Sequence, residues 1–145
     1  MNHMLTFAML ALLASAAAAQ PIDKSEIHVS DGDTISVRGK VYRLVGFNTP
    51  ETFRAKCAQE RALGVKADRR LRALINAGDL DLTEVRCSCR PRTEGTQRCN
   101  FGRSCAILKA KGTDVGQTLI SEGLAEVYPC SATRCPKRRD WCGHG

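Results

Sequence analysis

The chain has 145 residues, the size of a single domain. Its 22 Lys and Arg residues against 15 Asp and Glu residues leave a formal net charge of +7. A small domain with this surplus attracts polyanions, although a basic surface also serves solubility alone. After residue 19 no stretch is apolar enough to cross a membrane, which excludes a multi-span membrane protein.

The N-terminal segment, residues 1–19, is typical of a secretory signal peptide. It has no Lys, Arg, Asp or Glu, and its apolar run over residues 5–14 is too short to span a bilayer. Three alanines before Gln20 match an A-x-A cleavage site, although a basic start is missing. The alternative is an uncleaved membrane anchor. We expect an exported protein, periplasmic or extracellular, whose mature domain covers residues 20–145 and has no membrane span.

The next segment, residues 26–46, has the pattern of a three-stranded meander. Apolar residues alternate with polar ones in three short runs, and turn signals separate them at residues 31–32 and 38–40. Residues 48–52 (Asn-Thr-Pro-Glu-Thr) break the pattern because Pro50 cannot donate to a ladder. They are expected to form a loop that leaves the third strand.

The periodicity then becomes helical over residues 58–76. Residues 80–86 and 105–110 predict two further strands joined by a long polar hairpin, and Thr113 or Asp114 can cap a second helix to Ala125. This order predicts a mainly β, α+β domain: a five-stranded OB-type Greek-key barrel with two packed helices. A disulfide-rich tail follows at residues 129–145.

All eight cysteines lie after residue 19, and an even number in a small exported domain predicts up to four disulfides. We expect the four cysteines between Cys87 and Cys105 to cross-link one hairpin. The last three should tie down the tail, with Cys57 as a candidate partner. A zinc site at Cys130, Cys135, Cys142 and His144 is the alternative, but their spacing contains no C-x-x-C pair.

Three clusters carry residues suited to chemistry, at residues 31–34, 43–52 and 101–103. Each has a structural explanation by itself: Asp-Gly is a common hairpin turn, Arg43 can be an ordinary outward charge, and Gly102 can be a bulge. Together they supply what phosphodiester cleavage needs. Oxygen ligands for a hard cation are available at Asp33, Asn48 and the Thr49 carbonyl. Glu51 is the candidate base for water, and Arg43 and Arg103 can hold the phosphorane.

These clusters resemble the motifs of the staphylococcal nuclease, or thermonuclease, family. Asp-Gly-Asp-Thr, Arg-Leu, Thr-Pro-Glu-Thr and Phe-Gly-Arg follow one another in the family's order and at similar spacing. Residues 122–125 also resemble the end of the family's second helix. The similarity runs from about residue 26 to residue 128, and several separated motifs in one order make it specific.

The resemblance implies an OB-type barrel with a Ca²⁺ site that cleaves DNA and RNA and leaves 3′-phosphate products. A monomer is the default state. The family's roles carry over by position as follows: Asp33 as metal aspartate with Asp31 in support, Thr49 as carbonyl ligand, Glu51 as base, and Arg43 and Arg103 on the phosphate.

The sequence departs from the family in several places. Asn48 stands where the family has its second metal aspartate, which predicts weaker Ca²⁺ binding because one ligand charge is lost. Its neighbour Phe47 either walls the site or belongs to the core. A cysteine-rich hairpin replaces a lysine-rich loop, and the tail replaces the C-terminal helix. Tyr128 is therefore the remaining candidate for stacking on a base.

Three functions are compatible with these features. A Ca²⁺-dependent nuclease is favoured, because a mere binder has no evident need for Glu51 beside two arginines. The second is an OB-fold nucleic-acid-binding protein whose catalysis is weakened by Asn48. The third is an envelope protein that binds another polyanion. The basic run at residues 137–139 is interpreted as a solvated loop rather than a polyanion contact.

Overall fold

The computed structural model describes residues 18–143. The expected signal peptide lies outside this range except for its last two residues, and so does His144. In chain order the elements are β1 Gln20–Ile22, β2 Ile27–Asp31, β3 Thr34–Val37, β4 Lys40–Leu44, β5 Gly46–Asn48, α1 Ala58–Asn76, β6 Leu80–Val85, β7 Ser104–Ala110, β8 Thr113–Asp114, α2 Val115–Ser121 and β9 Glu126–Tyr128. Between residues 18 and 143, neither helix is long and apolar enough to cross a membrane.

The main sheet has the order β1-β6-β7-β4-β3-β2, with β8 paired to β7. β4 and β7 run parallel, and the other pairs are antiparallel. The sheet curls into half a barrel, and β5 forms a separate pair with β9. The expected α+β architecture with two helices is therefore confirmed, with short additional strands that the pattern did not predict.

The core lies between the curled sheet and the helices. Leu44 and Leu108 from the sheet meet Leu71 of α1 and Leu119 of α2, and each of these side chains is at most 1% exposed. Burying a leucine side chain contributes roughly 1.5–3 kcal/mol. The core therefore fixes the sheet on which the candidate site is built.

The expected limits of α1 are confirmed, whereas α2 ends four residues earlier than predicted. Gly123 adopts φ +73°, and the amides of Gly123 and Leu124 donate to the carbonyls of Ile120 and Leu119. This glycine-closed end stops the helix and directs the chain into β9. Asn48, expected in a loop, is the last residue of β5.

Four disulfides link Cys57 to Cys142, Cys87 to Cys105, Cys89 to Cys99, and Cys130 to Cys135. Two of them cross-link the hairpin as expected. Cys57–Cys142 ties the tail to the start of α1, with Cys57 as the expected partner, whereas Cys130–Cys135 closes a loop within the tail. The alternative zinc site is wrong for its three cysteines, because a sulfur in a disulfide is not the thiolate that zinc binds.

Candidate active site

Asp33 joins the turn after β2 to the loop after β5. The residue is 8% exposed, and its carboxylate accepts hydrogen bonds from the amide and the hydroxyl of Thr49, both at 3.2 Å. The hydroxyl of Thr34 donates to the other oxygen at 3.1 Å. Arg43 Nη2 lies 3.0 Å from Asp33 Oδ2. A single buried carboxylate therefore organises two segments that the sequence separates.

Arg43 lies on β4, and its guanidinium points into the protein. Besides its ion pair with Asp33, Nη2 donates to the Phe47 carbonyl at 3.0 Å and to Asn48 Oδ1 at 3.2 Å, while Nη1 donates to the Leu44 carbonyl. Burial lowers the pKa of Arg43, and the charge of Asp33 acts in the opposite direction. The residue is thus a buried cation held by carbonyl and carboxylate oxygens.

Both the oxygen and the nitrogen of the Asn48 side-chain amide form hydrogen bonds. Its oxygen accepts from Arg43, and its nitrogen donates to Glu126 Oε1 at 3.0 Å. The register of β5 against β9 sets Asn48 opposite Glu126. Glu126 had no sequence signal, since this pairing joins residues 78 positions apart. A carboxylate therefore lies beside Asn48.

The loop that carries Glu51 packs tightly on the first turns of α1. A Cβ at Gly64 would lie 2.7 Å from the Glu51 carbonyl oxygen and 2.8 Å from that of Pro50, so only glycine allows this approach. Glu60, third residue of α1, accepts from the amides of Lys56 at 2.7 Å and Glu51 at 3.5 Å, both of which precede the N-cap Cys57. Sequence reasoning missed both residues, although Glu60 had a capping position as its signal.

The carboxylate of Glu51 itself pairs with Arg138, whose Nη1 lies 2.6 Å from Glu51 Oε1. The expectation that residues 137–139 form only a solvated loop is wrong for this arginine. The C-terminal tail thus touches the predicted base directly.

Asp31 lies beside the same group of carboxylates. It accepts from the Gly32 amide at 2.9 Å and from the Thr52 hydroxyl at 3.3 Å. The pKa of Asp31 is raised to about 6, mainly by burial and also by the charges of Asp33 and Glu51. Three carboxyl groups therefore crowd at one end of the sheet, which favours a cation among them.

Arg103 follows a turn in which Asn100, Phe101 and Gly102 have φ of 52°, 58° and 77°. Asn100 accepts both sides of the guanidinium fork, at 3.0 Å through its carbonyl and at 2.7 Å through Oδ1. Nη1 donates to Thr34 at 3.1 Å. Burial lowers the pKa of Arg103, and the charge of Arg43 lowers it further. The left-handed turn, which costs non-glycine residues energy, aims Arg103 at the site.

The site opens on a cleft of ≈ 860 Å³ between the cysteine-rich hairpin and the tail. Its lining is rich in arginine: Arg43, Arg86, Arg90, Arg92, Arg103 and Arg138. Tyr128 also lines the cleft, and its hydroxyl donates to the Pro136 carbonyl at 3.0 Å. Phe47 belongs to the core, where it is 2% exposed and packs on Gly116, at which a Cβ would lie 2.1 Å from its ring, and it also lies along the cleft.

The chain is 36% identical over 102 residues to the protein named endonuclease YncB of Bacillus subtilis (strain 168), covering 67% of this chain and 44% of that protein. The same identity and length relate it to the SPbeta prophage-derived endonuclease YokF of that organism, of which 31% is covered. The chain thus spans less than half the length of either relative. No family model matches it.

Proposed function

We propose that the protein is a nuclease that hydrolyses phosphodiester bonds of DNA and RNA by attack of water, leaving 3′-phosphate products. The observation that carries this proposal is the meeting of Asp33, Glu51, Arg43 and Arg103 beside one arginine-lined cleft. The names of the two relatives and the resemblance to the staphylococcal nuclease family support it. Because the match covers less than half of either relative, their names alone do not define the substrate, and the residues of the site carry that part of the proposal.

The finer fold that we propose is an OB-type Greek-key barrel. The neighbouring order β2-β3-β4-β7-β6 and the parallel pair of β4 and β7 support this assignment. We further propose export to the periplasm or the outside of the cell as a monomer. Four disulfides among residues 18–143 support an oxidising location.

The oxygen atoms at the site suit Ca²⁺. Asp33 Oδ2 and Asn48 Oδ1 lie 3.0 and 3.2 Å from the same Arg43 nitrogen. The two oxygens are therefore close together and already interact with a cationic group. The carbonyl of Thr49 and the carboxyl of Asp31 complete a set of hard donors of the kind that Ca²⁺ prefers. A bound ion would supply positive charge to a phosphate oxygen and to a water molecule.

Different side chains of the protein carry out the remaining steps of the reaction. Arg103 reaches the cleft and offsets the negative charge that the phosphorane develops. Arg43 adds positive charge from its buried position in the lining of the cleft. It keeps its ion pair with Asp33 unless the phosphate comes close enough to replace it. Glu51 accepts the proton of the attacking water. Tyr128, on the cleft wall, contacts a base or sugar of the strand.

The test is cleavage of single-stranded DNA and RNA by the oxidised protein, in millimolar Ca²⁺ and in chelator, with Glu51→Gln and the surface control Glu122→Gln. Loss of a positioned base should slow cleavage by about 10²–10⁴-fold in the first variant. The control loses only an exposed pair with Arg70 and should cleave like the parent. Calcium-independent cleavage, or equal rates in both variants, would contradict the proposal.

A second function, nucleic-acid binding with weakened catalysis, is favoured by the two hydrogen bonds of Asn48. An amide that joins Arg43 to Glu126 has a structural role by itself. Substituting aspartate alone would set two carboxylates face to face, so Asn48→Asp is combined with Glu126→Gln. If the site is merely disarmed, the double variant should gain cleavage that the parent lacks. If the parent already cleaves, the change should mainly tighten Ca²⁺ binding, which calorimetry measures.

A further inference from the structure

The C-terminal tail, residues 129–143, is attached to the segments that carry the site. The Cys57–Cys142 disulfide joins it to the start of α1, directly after the loop of Glu51. The Arg139 amide donates to both oxygens of Glu126 at 2.9 and 3.1 Å, and Pro136 accepts from Tyr128 at 3.0 Å. The tail, which lines one side of the cleft, is therefore held in place at several points.

This attachment brings one arginine into the site. Arg138 Nη1 lies 2.6 Å from Glu51 Oε1, and the two side chains are 48% and 32% exposed. Burial acts to lower the pKa of Arg138, but Tyr128 and the charge of Glu51 outweigh it, so the pKa is raised. The group remains a cation that is half shielded from water and open to the cleft.

The same charge is felt by the two arginines of the proposed phosphate site. Arg138 contributes to the lowered pKa values of both Arg43 and Arg103. Three guanidinium groups that repel one another around one cleft form a region of positive potential, which an anion relieves. A guanidinium has five N–H donors, so a single contact with Glu51 leaves donors for a phosphate oxygen.

We propose that Arg138 is the third guanidinium of the phosphate site, contacting the scissile phosphodiester while it holds the Glu51 carboxylate beside it. This inference rests on the proposed nuclease function and adds the tail as a working part of the site. The opposite role, in which Arg138 blocks Glu51 and restrains cleavage, predicts that replacing Arg138 makes cleavage faster instead of slower.

The experiment compares Arg138→Gln and Arg138→Lys with Lys137→Gln, a matched control that removes the same charge one residue away. Affinity for a fluorescent single-stranded oligonucleotide is measured in chelator, where cleavage is off, and kcat and KM are measured in Ca²⁺. Because charge is matched, nonspecific attraction to the polyanion changes equally in the two Gln variants. Melting temperatures check that all three variants are folded.

Arg138→Gln should weaken oligonucleotide binding by about 10-fold relative to Lys137→Gln, as expected for a lost charge-assisted hydrogen bond. Its kcat should fall as well, and Arg138→Lys should recover part of both. Adding Arg138→Gln to Glu51→Gln should slow cleavage less than it does in the parent, because the carboxylate it holds is already gone.

Two results would overturn the proposal. Equal binding and rates in Arg138→Gln and Lys137→Gln would reduce Arg138 to a structural contact, and faster cleavage in Arg138→Gln would make it a block. If the parent binds but does not cleave, the nuclease function fails separately. Weaker binding by Arg138→Gln than by Lys137→Gln would then still support the phosphate contact, and equal binding would refute it.

Discussion

The curled sheet and the C-terminal tail hold site residues in place by different means. In the sheet and its helices, Leu44, Leu71 and Leu119 are completely buried. Arg43 lies on β4 of this sheet, and Asp33 lies in the tight turn between β2 and β3. In the tail, as far as residue 143, only the Trp141 side chain is buried. The path of the tail is set by two disulfides and by polar contacts with Tyr128 and Glu126.

The site therefore has two parts: one is held in place by hydrophobic burial, and the other is held in place by covalent bonds. Asp33 and Arg43 depend on the core, whereas Arg138 depends on cysteine oxidation. The first should survive a reducing environment better than the second, since hydrophobic burial does not depend on redox state.

Complete reduction of the protein should give the largest effect on this comparison. Each disulfide typically contributes about 2–4 kcal/mol to stability, so losing four should lower the melting temperature by at least about 10 °C. Circular dichroism melts with and without excess dithiothreitol measure this shift. Identical melting temperatures would show that the cross-links are not structural.

Leu71→Ala tests the part held by burial. Truncating a fully buried leucine should lower the free energy of unfolding by about 2–5 kcal/mol even with all disulfides formed. Val65→Ala on the same helix is the control, because Val65 is 36% exposed, and it should cost less than about 1 kcal/mol. Urea unfolding measures both, and equal losses would mean that α1 is not held by this core.

Cys57→Ser with Cys142→Ser tests the covalent anchor of the tail. Serine keeps the cap that Cys57 Sγ provides to the Glu60 amide at 3.3 Å, so the loss should come from the cross-link, about 2–4 kcal/mol. Trypsin should then cut the tail at residues 137–139 well before the sheet. The Cys130–Cys135 disulfide closes a loop of only 5 residues, against 85 for Cys57–Cys142. Replacing Cys130 and Cys135 by serine should therefore lower the free energy of unfolding by less. The reverse ranking would refute this view of the tail.

Asp31→Asn should change the free energy of unfolding least, and it should raise it where the other variants lower it. The pKa of Asp31 is raised from 3.8 to about 6 in the folded protein, so its contribution to stability is present below pH 3.8 and lost as pH rises through 6. After allowance for partial exposure, the variant should be more stable by about 1 kcal/mol at neutral pH. Near the unfolded pKa the two proteins should unfold alike. Urea titrations across this range would contradict the explanation if the variant gained nothing.

Local patterns determined much of this protein. The limits of α1, the meander and the division of the cysteines into a hairpin group and a tail group follow from periodicity, turn residues and spacing. The candidate residues from Asp33 to Arg103 were recognisable because their motifs are short and contiguous, and the structure brings them to one end of the sheet.

Only the tertiary structure decided what surrounds those residues. The contacts of Asn48 with Glu126 and of Glu51 with Arg138 join residues 78 and 87 positions apart. The first depends on the register of β5 against β9, and the second on the path that the Cys57–Cys142 disulfide imposes on the tail. Neither is encoded by local propensity, because the free energy that selects each pairing comes from burial and cross-linking between distant segments.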